Sequence, residues 1–325
     1  MSSASPLTLI AANLPPPLDW QRLDATHIDF VSVLLIVAGV LYAIGVRRVG
    51  AAHPDHPWST RRTVSFVGGL VVTFIAVESV IGVYDDVLFY DHMIQHLMLI
   101  MIAAPLFAMG APVELAQRAT TGRTNQVVTR GLGSRVAELV AHPIVDFGLY
   151  AVLIPVAHLT SLYNLALTHQ SADDGEHLMF LIIGYLFWRH VVAIEPSRHP
   201  LTPPVRLIYL ALAVPVDTFT GLTLASTTYE MFPAYLHMHR TWGPSPVLDL
   251  HMGGAIMWVG GDSLMLLAMI PVAVQWLRYE EQKAADIDRQ LDLVAARAHA
   301  DPEPAPDHVP EPRPDPGPGD QTDGP

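Results

Sequence analysis

Cysteine is absent from all 325 residues, which excludes disulfides, Fe–S clusters and thiolate metal relays. Any bound metal must therefore be held by histidine, methionine or carboxylate. Lysine is almost as scarce: Lys283 is the only one, and it follows the last apolar stretch. A lysine Schiff base inside a membrane bundle, as a retinal protein needs, is not available. No Lys or Arg precedes Arg22, and Pro15, Pro16 and Pro17 interrupt the only early apolar stretch, so the basic and apolar regions of a cleaved signal peptide are missing. The first apolar segment is expected to act as an uncleaved insertion signal. No HExxH motif occurs, which places zinc hydrolysis with Glu176 as general base low among the alternatives.

What the chain does have is apolar length. A helix crossing about 30 Å of hydrocarbon needs about 20 predominantly apolar residues. Seven stretches come near this: Ile28 to Val46, Val64 to Tyr84, His92 to Met109, Ile144 to Leu162, His177 to Ile194, Val205 to Ala225, and Leu250 to Trp276. The expectation is an all-α, polytopic bundle of seven transmembrane helices. Basic residues in short loops are retained on the cytoplasmic side. Arg47, Arg48, Arg61 and Arg62 lie between the first and second spans, and Arg118, Arg123, Arg130 and Arg135 between the third and fourth. Arg198 lies between the fifth and sixth, and Arg278 and Lys283 follow the seventh. This distribution predicts an N-terminus outside and a cytoplasmic C-terminus.

The expected domain plan has four parts: an extracytoplasmic segment over 1–27, a membrane domain over 28–278, an interfacial helix over 279–300, and a tail over 301–325. That tail holds seven acidic residues and one arginine, a net −6 of the chain's formal −13. It is acidic, rich in proline and too poor in apolar residues to offset its ordering entropy, so disorder is expected there. Membrane lipid is the implied surroundings, and no nucleic-acid partner is expected.

Five histidines fall at the outer ends of the expected spans: His92 and His96 in the third, His158 in the fourth, His177 in the fifth and His251 in the seventh. Side chains at i and i+4 share one helix face with Cβ atoms about 5–6 Å apart, so His92 and His96 can bind one ion. Asp91 can cap the first turn of their helix. Met93 and Met252 stand beside these imidazoles in sequence, and the loop after the sixth span adds His237, Met238 and His239. Imidazole suits copper, iron and zinc, while thioether favours Cu(I). Copper as Cu(I), about one ion per chain, is the expected ligand, held by His92, His96, His158, His177 and His251 with Met93 and Met252. Protons should compete with it below about pH 6.5. On the inner side His53, His56, His142, His190 and His199 lie mostly in loops or at helix margins.

Carboxylates within or beside the spans are Glu78, Asp217 and Asp262, with Glu176 and Asp249 at the outer ends. An Asp at the bilayer centre costs about 2.5–3.5 kcal/mol on insertion scales, so such groups face the bundle interior. They are candidates for an ion path or for support behind the ligands, with hydrogen bonding to Ser79, Thr218 or Ser263 as the simpler reading. Pro105, Pro155, Pro215 and Pro271 interrupt the spans and are assigned no function, since proline is common in transmembrane helices.

The run His92-Met93-Ile94-Gln95-His96-Leu97, continuing to Ala104-Pro105 and Met109-Gly110-Ala111-Pro112, resembles the CtaG-type cytochrome c oxidase assembly factors. His158 with Leu162-Tyr163, Glu176-His177 with Phe180 and Gly184 to Trp188, and Phe232-Pro233 with Tyr235 extend the likeness. Trp242-Gly243, Ser245-Pro246, Asp249, Gly253-Gly254 and Met257-Trp258 complete it, over the second to seventh spans. The resemblance implies a bacterial plasma-membrane protein that helps to build a copper-containing oxidase and is not an enzyme. Its partners would be an oxidase subunit and an extracytoplasmic copper donor, and its histidines correspond to His92, His96, His158 and His177. Leu250-His251-Met252 and Trp188-Arg189-His190 depart from the family pattern, so His251 rests on topology. Two alternatives compete: a copper permease using Glu78, Asp217 and Asp262, and a haem-binding electron-transfer protein with two outer histidines as axial ligands.

Overall fold

The computed structural model describes residues 30–236 and 240–300, and the described chain is helical with no strand. The expected outer segment over 1–27, the His237-Met238-His239 run and the acidic tail over 301–325 lie outside the described residues. The main helices are α1 (Phe30–Ala52), α2 (Thr60–Glu78), α3 (Phe89–Leu97), α4 (Ala104–Gly110), α5 (Pro143–Leu159), α6 (Gln170–Val192), α7 (Pro203–Ser226), α8 (Pro246–Ala255) and α9 (Gly261–Ala300). Proline opens α5, α7 and α8, where its missing N–H costs nothing and its fixed φ suits the first turn. The Ser245 hydroxyl accepts from the Leu248 N–H to close the start of α8. One π-helical stretch, Met98–Ala103, joins α3 to α4, and a second, Ile256–Gly260, joins α8 to α9. Such wide turns recur at functional sites.

Among the described residues, five helical stretches are long and apolar enough to cross a membrane: Phe30–Ala52, Thr60–Tyr84, Phe89–Ala119, Pro203–Ser226 and Pro246–Arg297. Pro143–Leu159 is apolar but has only 17 residues, or about 25 Å at 1.5 Å per residue. Gln170–Val192 has the length, at 23 residues, but carries Asp173, Asp174, Glu176 and Arg189. The first helix is described from Phe30, the expected start at Ile28 lying outside the described residues, and continues to Ala52, six residues past the expected end at Val46, taking in Arg47 and Arg48.

Burial supports the membrane reading independently. Ile36, Leu41, Val64, Ile208 and Phe219 are exposed, whereas His92, Gln95, His96, Asp146, His158, His177, His190, Asp217 and Asp249 are buried. Apolar surface outside and polar groups inside is the arrangement that lipid, not water, stabilises. Small residues let the helices approach closely, as membrane helices do where packing drives association. A Cβ on Gly184 of α6 would lie 2.8 Å from the Ala104 Cβ, and one on Gly221 of α7 would lie 2.7 Å from the Gly254 carbonyl oxygen of α8. The chain divides into two units at Trp276 and Leu277. In the second, α9 continues as helix to Ala300, and its described side chains are exposed.

Candidate metal centre

The histidine pair is positioned from the start of its helix. Leu88 precedes α3 and has no side chain able to cap it, so the first N–H groups need acceptors from elsewhere. Asp249 of α8 supplies them: its carboxylate accepts from the Phe89 N–H at 3.1 Å and the Tyr90 N–H at 3.0 Å. Arg240 lies 3.0 Å from the same carboxylate. Asp249 therefore does the capping expected of Asp91, which lies inside the first turn of α3.

From this anchored helix His92 and His96 project together, their ring centroids 4.0 Å apart. Glu176 approaches from α6, and its Oε2 is 3.9 Å from His92 Nε2. One ligand-capable atom from each of His92, His96 and Glu176 lies within 4.8 Å of the other two, and all three residues are buried. His92 Nε2, His96 Nε2 and Glu176 Oε2 make no hydrogen bond among the described residues. Buried polar groups are nearly always paired, and leaving one unsatisfied costs about 1–3 kcal/mol. Three buried residues that cluster in this way, each with an unpaired side-chain atom among the described residues, make a candidate cation site.

The other expected ligands are distributed around this trio. His158 of α5 is in contact with it through His96: His96 Nδ1 and His158 Nε2 are 3.1 Å apart, and His158 Nδ1 donates to the Ile154 carbonyl at 2.8 Å. His177 is tied to Gln95 instead. The Gln95 amide donates to Asp85 Oδ2 at 2.6 Å and to the Ala76 carbonyl at 3.1 Å, so its oxygen accepts from His177 Nε2 at 2.7 Å. His177 also groups with Asp85 and Asp173. Asp85, in the loop before α3, has its carboxyl pushed well up by burial, reinforced by the Asp86 and Asp173 charges.

His251 is not brought to the trio; its Nε2 donates to the Thr227 carbonyl. Met93 is buried in the apolar core with Phe89, and Met252 is 38% exposed. Of the membrane carboxylates, Glu78 accepts from Ser32, Asp262 accepts from Thr218 at 2.7 Å, and both oxygens of Asp217 accept from the Tyr150 hydroxyl at 2.8 Å. A cavity of about 20 Å³, enough for about one water, separates His96 and His158 from Tyr150 and Asp217.

Aromatic rings close the site. Phe180 lies 4.1 Å from the His96 ring and Tyr163 lies 4.5 Å from the His92 ring. Tyr163 is hydrogen-bonded to Tyr235, whose hydroxyl reaches the Asp85 carbonyl at 3.3 Å. Sequence reasoning did not single out Gln95, Asp85 or Asp173 as site residues. Gln95 was findable, because it lies three residues after His92 and so on the same helix side.

Together, the apolar exterior and the buried imidazole–carboxylate cluster define a multi-pass helical membrane protein with a candidate metal centre. The chain belongs to the cytochrome c oxidase caa3 assembly factor family (Caa3_CtaG), whose model matches residues 40–279. An uncharacterized protein of Mycobacterium bovis is 28% identical over 271 residues, covering 80% of this chain and 41% of the relative. One from Mycobacterium tuberculosis gives the same figures, and one from Mycobacterium leprae is 26% identical over 272 residues. The chain spans about two fifths of the length of these curated relatives. No solved structure matches it.

Proposed function

We propose that this chain takes copper at the outer side of the bacterial plasma membrane and passes it to a cytochrome c oxidase subunit, acting as a non-catalytic assembly factor. In this reading the bundle has seven spans, with α5 and α6 as the fourth and fifth, an outer N-terminus and a cytoplasmic C-terminus. Copper is cargo, received from an extracytoplasmic donor and held by His92, His96 and Glu176. The family assignment supports the assembly role. The observation that carries the copper step is the convergence of three buried donors that the protein itself leaves unpartnered. Two imidazoles and a carboxylate suit copper among the borderline metals, and the absence of thiolate ligands favours release of the ion.

Glu78, Asp217 and Asp262 each hold a hydroxyl partner, which favours a structural role for them over a permease path. The decisive experiment replaces His92 and His96 together with Ala. Copper binding by the purified protein should disappear, and the oxidase of cells carrying only the variant should lack copper while the variant remains in the membrane. Normal copper content in that oxidase would sink the proposal.

A further inference from the structure

His158 is buried and was expected to be one of the metal ligands. Its hydrogen bonds give it a different place. Nδ1 lies 2.8 Å from the Ile154 carbonyl, and a carbonyl only accepts, so Nδ1 carries the ring proton. In the neutral ring, the form that binds metal, His158 Nε2 is then an acceptor. It faces His96 Nδ1 at 3.1 Å, so His96 must donate from Nδ1. With that proton on Nδ1, the His96 lone pair is fixed on Nε2, the atom that has no partner. A chain of two hydrogen bonds from the α5 backbone thus sets which nitrogen His96 presents.

We infer that His158 is a positioning residue, not a ligand: the Ile154–His158–His96 chain locks the His96 tautomer and leaves a donor set of His92, His96 and Glu176. This rests on the reading of that cluster as a metal site. The donor set it leaves has two nitrogens and one oxygen and no sulfur, which suits a divalent ion such as Cu(II) better than a soft monovalent one. Groups that orient metal-bound histidines in this way are typically worth 10–100-fold in affinity.

The test uses the full-length protein in detergent, loaded with Cu(II) and read by electron paramagnetic resonance. Wild type should show superhyperfine coupling to two imidazole nitrogens. H158A should bind about 10–100-fold more weakly and still show two, whereas H158Q, whose amide can accept from His96 and donate to Ile154, should recover most of the affinity. Three nitrogens in wild type falling to two in H158A would overturn the inference, as would H158Q binding no better than H158A. A second measurement needs no metal and no variant that must fold without His158: ¹⁵N resonances of the apo protein should show His96 protonated on Nδ1. A proton on Nε2 there would also overturn it. Failure of wild type to bind copper would instead strike the metal-site reading, while the apo spectrum still judges the hydrogen-bond chain.

Discussion

Two buried histidine–carboxylate pairs can be compared within this molecule. His190 of α6 meets Asp146 of α5 at 2.8 Å, a closed hydrogen bond. His92 of α3 and Glu176 of α6 stand 3.9 Å apart, and the facing atoms of both have no hydrogen-bond partner among the described residues. The residue chemistry is the same, but the 3.9 Å separation of the second pair is close to the span of two metal–ligand bonds of about 2.0 Å each. In the closed pair, His190 Nε2 and Asp146 Oδ2 are spent on joining two helices. The open pair keeps its facing atoms for something else.

The comparison breaks first at the ligands. Removing Glu176 as E176Q should lower copper affinity far more than D146N does, measured by titration of the two purified variants. Equal losses would mean that the open geometry has no special role. The reverse should hold for stability: D146A leaves the His190 Nε2 without its buried partner and should cost about 1–3 kcal/mol, read from thermal unfolding in detergent, with copper affinity unchanged. D249A removes the acceptor for the first α3 N–H groups and should cost about 1–2 kcal/mol, together with a measurable loss of copper affinity, because the histidine pair rides on that helix.

The Asp85 carboxyl, pushed up by burial, gives a pH-dependent contrast. An acid whose folded pKa is raised holds its proton more tightly when folded. Its contribution is complete below the ordinary aspartate value of about 3.9 and declines as pH climbs to the raised folded value. D85N should abolish that decline, so the stability advantage of D85N over wild type should grow from pH 5 to pH 8; an advantage that shrinks would refute the assignment. The smallest effect is expected from H251A, which loses one hydrogen bond to the Thr227 carbonyl, worth about 1 kcal/mol, and should bind copper as wild type does.

Much of this arrangement was legible in the sequence, for reasons that explain what was not. Helical class and the multi-pass nature follow from long apolar runs, and the HxxxH spacing places His92 and His96 on one face because helix geometry is local. Glu176 could be named as a candidate but not joined to the pair, since the contact runs from residue 92 to residue 176 across two helices. The hydrogen bonds that assign His158 and His251 their neighbours are equally non-local, so the sequence could not tell that His158 stands behind the pair or that His251, already resting on topology, is turned to Thr227. His190 was read as a marginal residue, yet it is buried against Asp146. Asp146 gave no signal, because a carboxylate in the first turn of a helix is commonplace.

The contact between α8 and α3 has a consequence for how the site can be controlled. Beyond the Asp249 cap, a methyl added at Gly253 would meet the Phe89 ring at 2.4 Å, so the two helices interlock at the residue where α3 begins. None of the donors at the centre comes from α8, yet any partner that tilts α8 would drag the histidine pair relative to Glu176. The proposed site would thus answer to leverage on a helix that supplies none of its candidate donors.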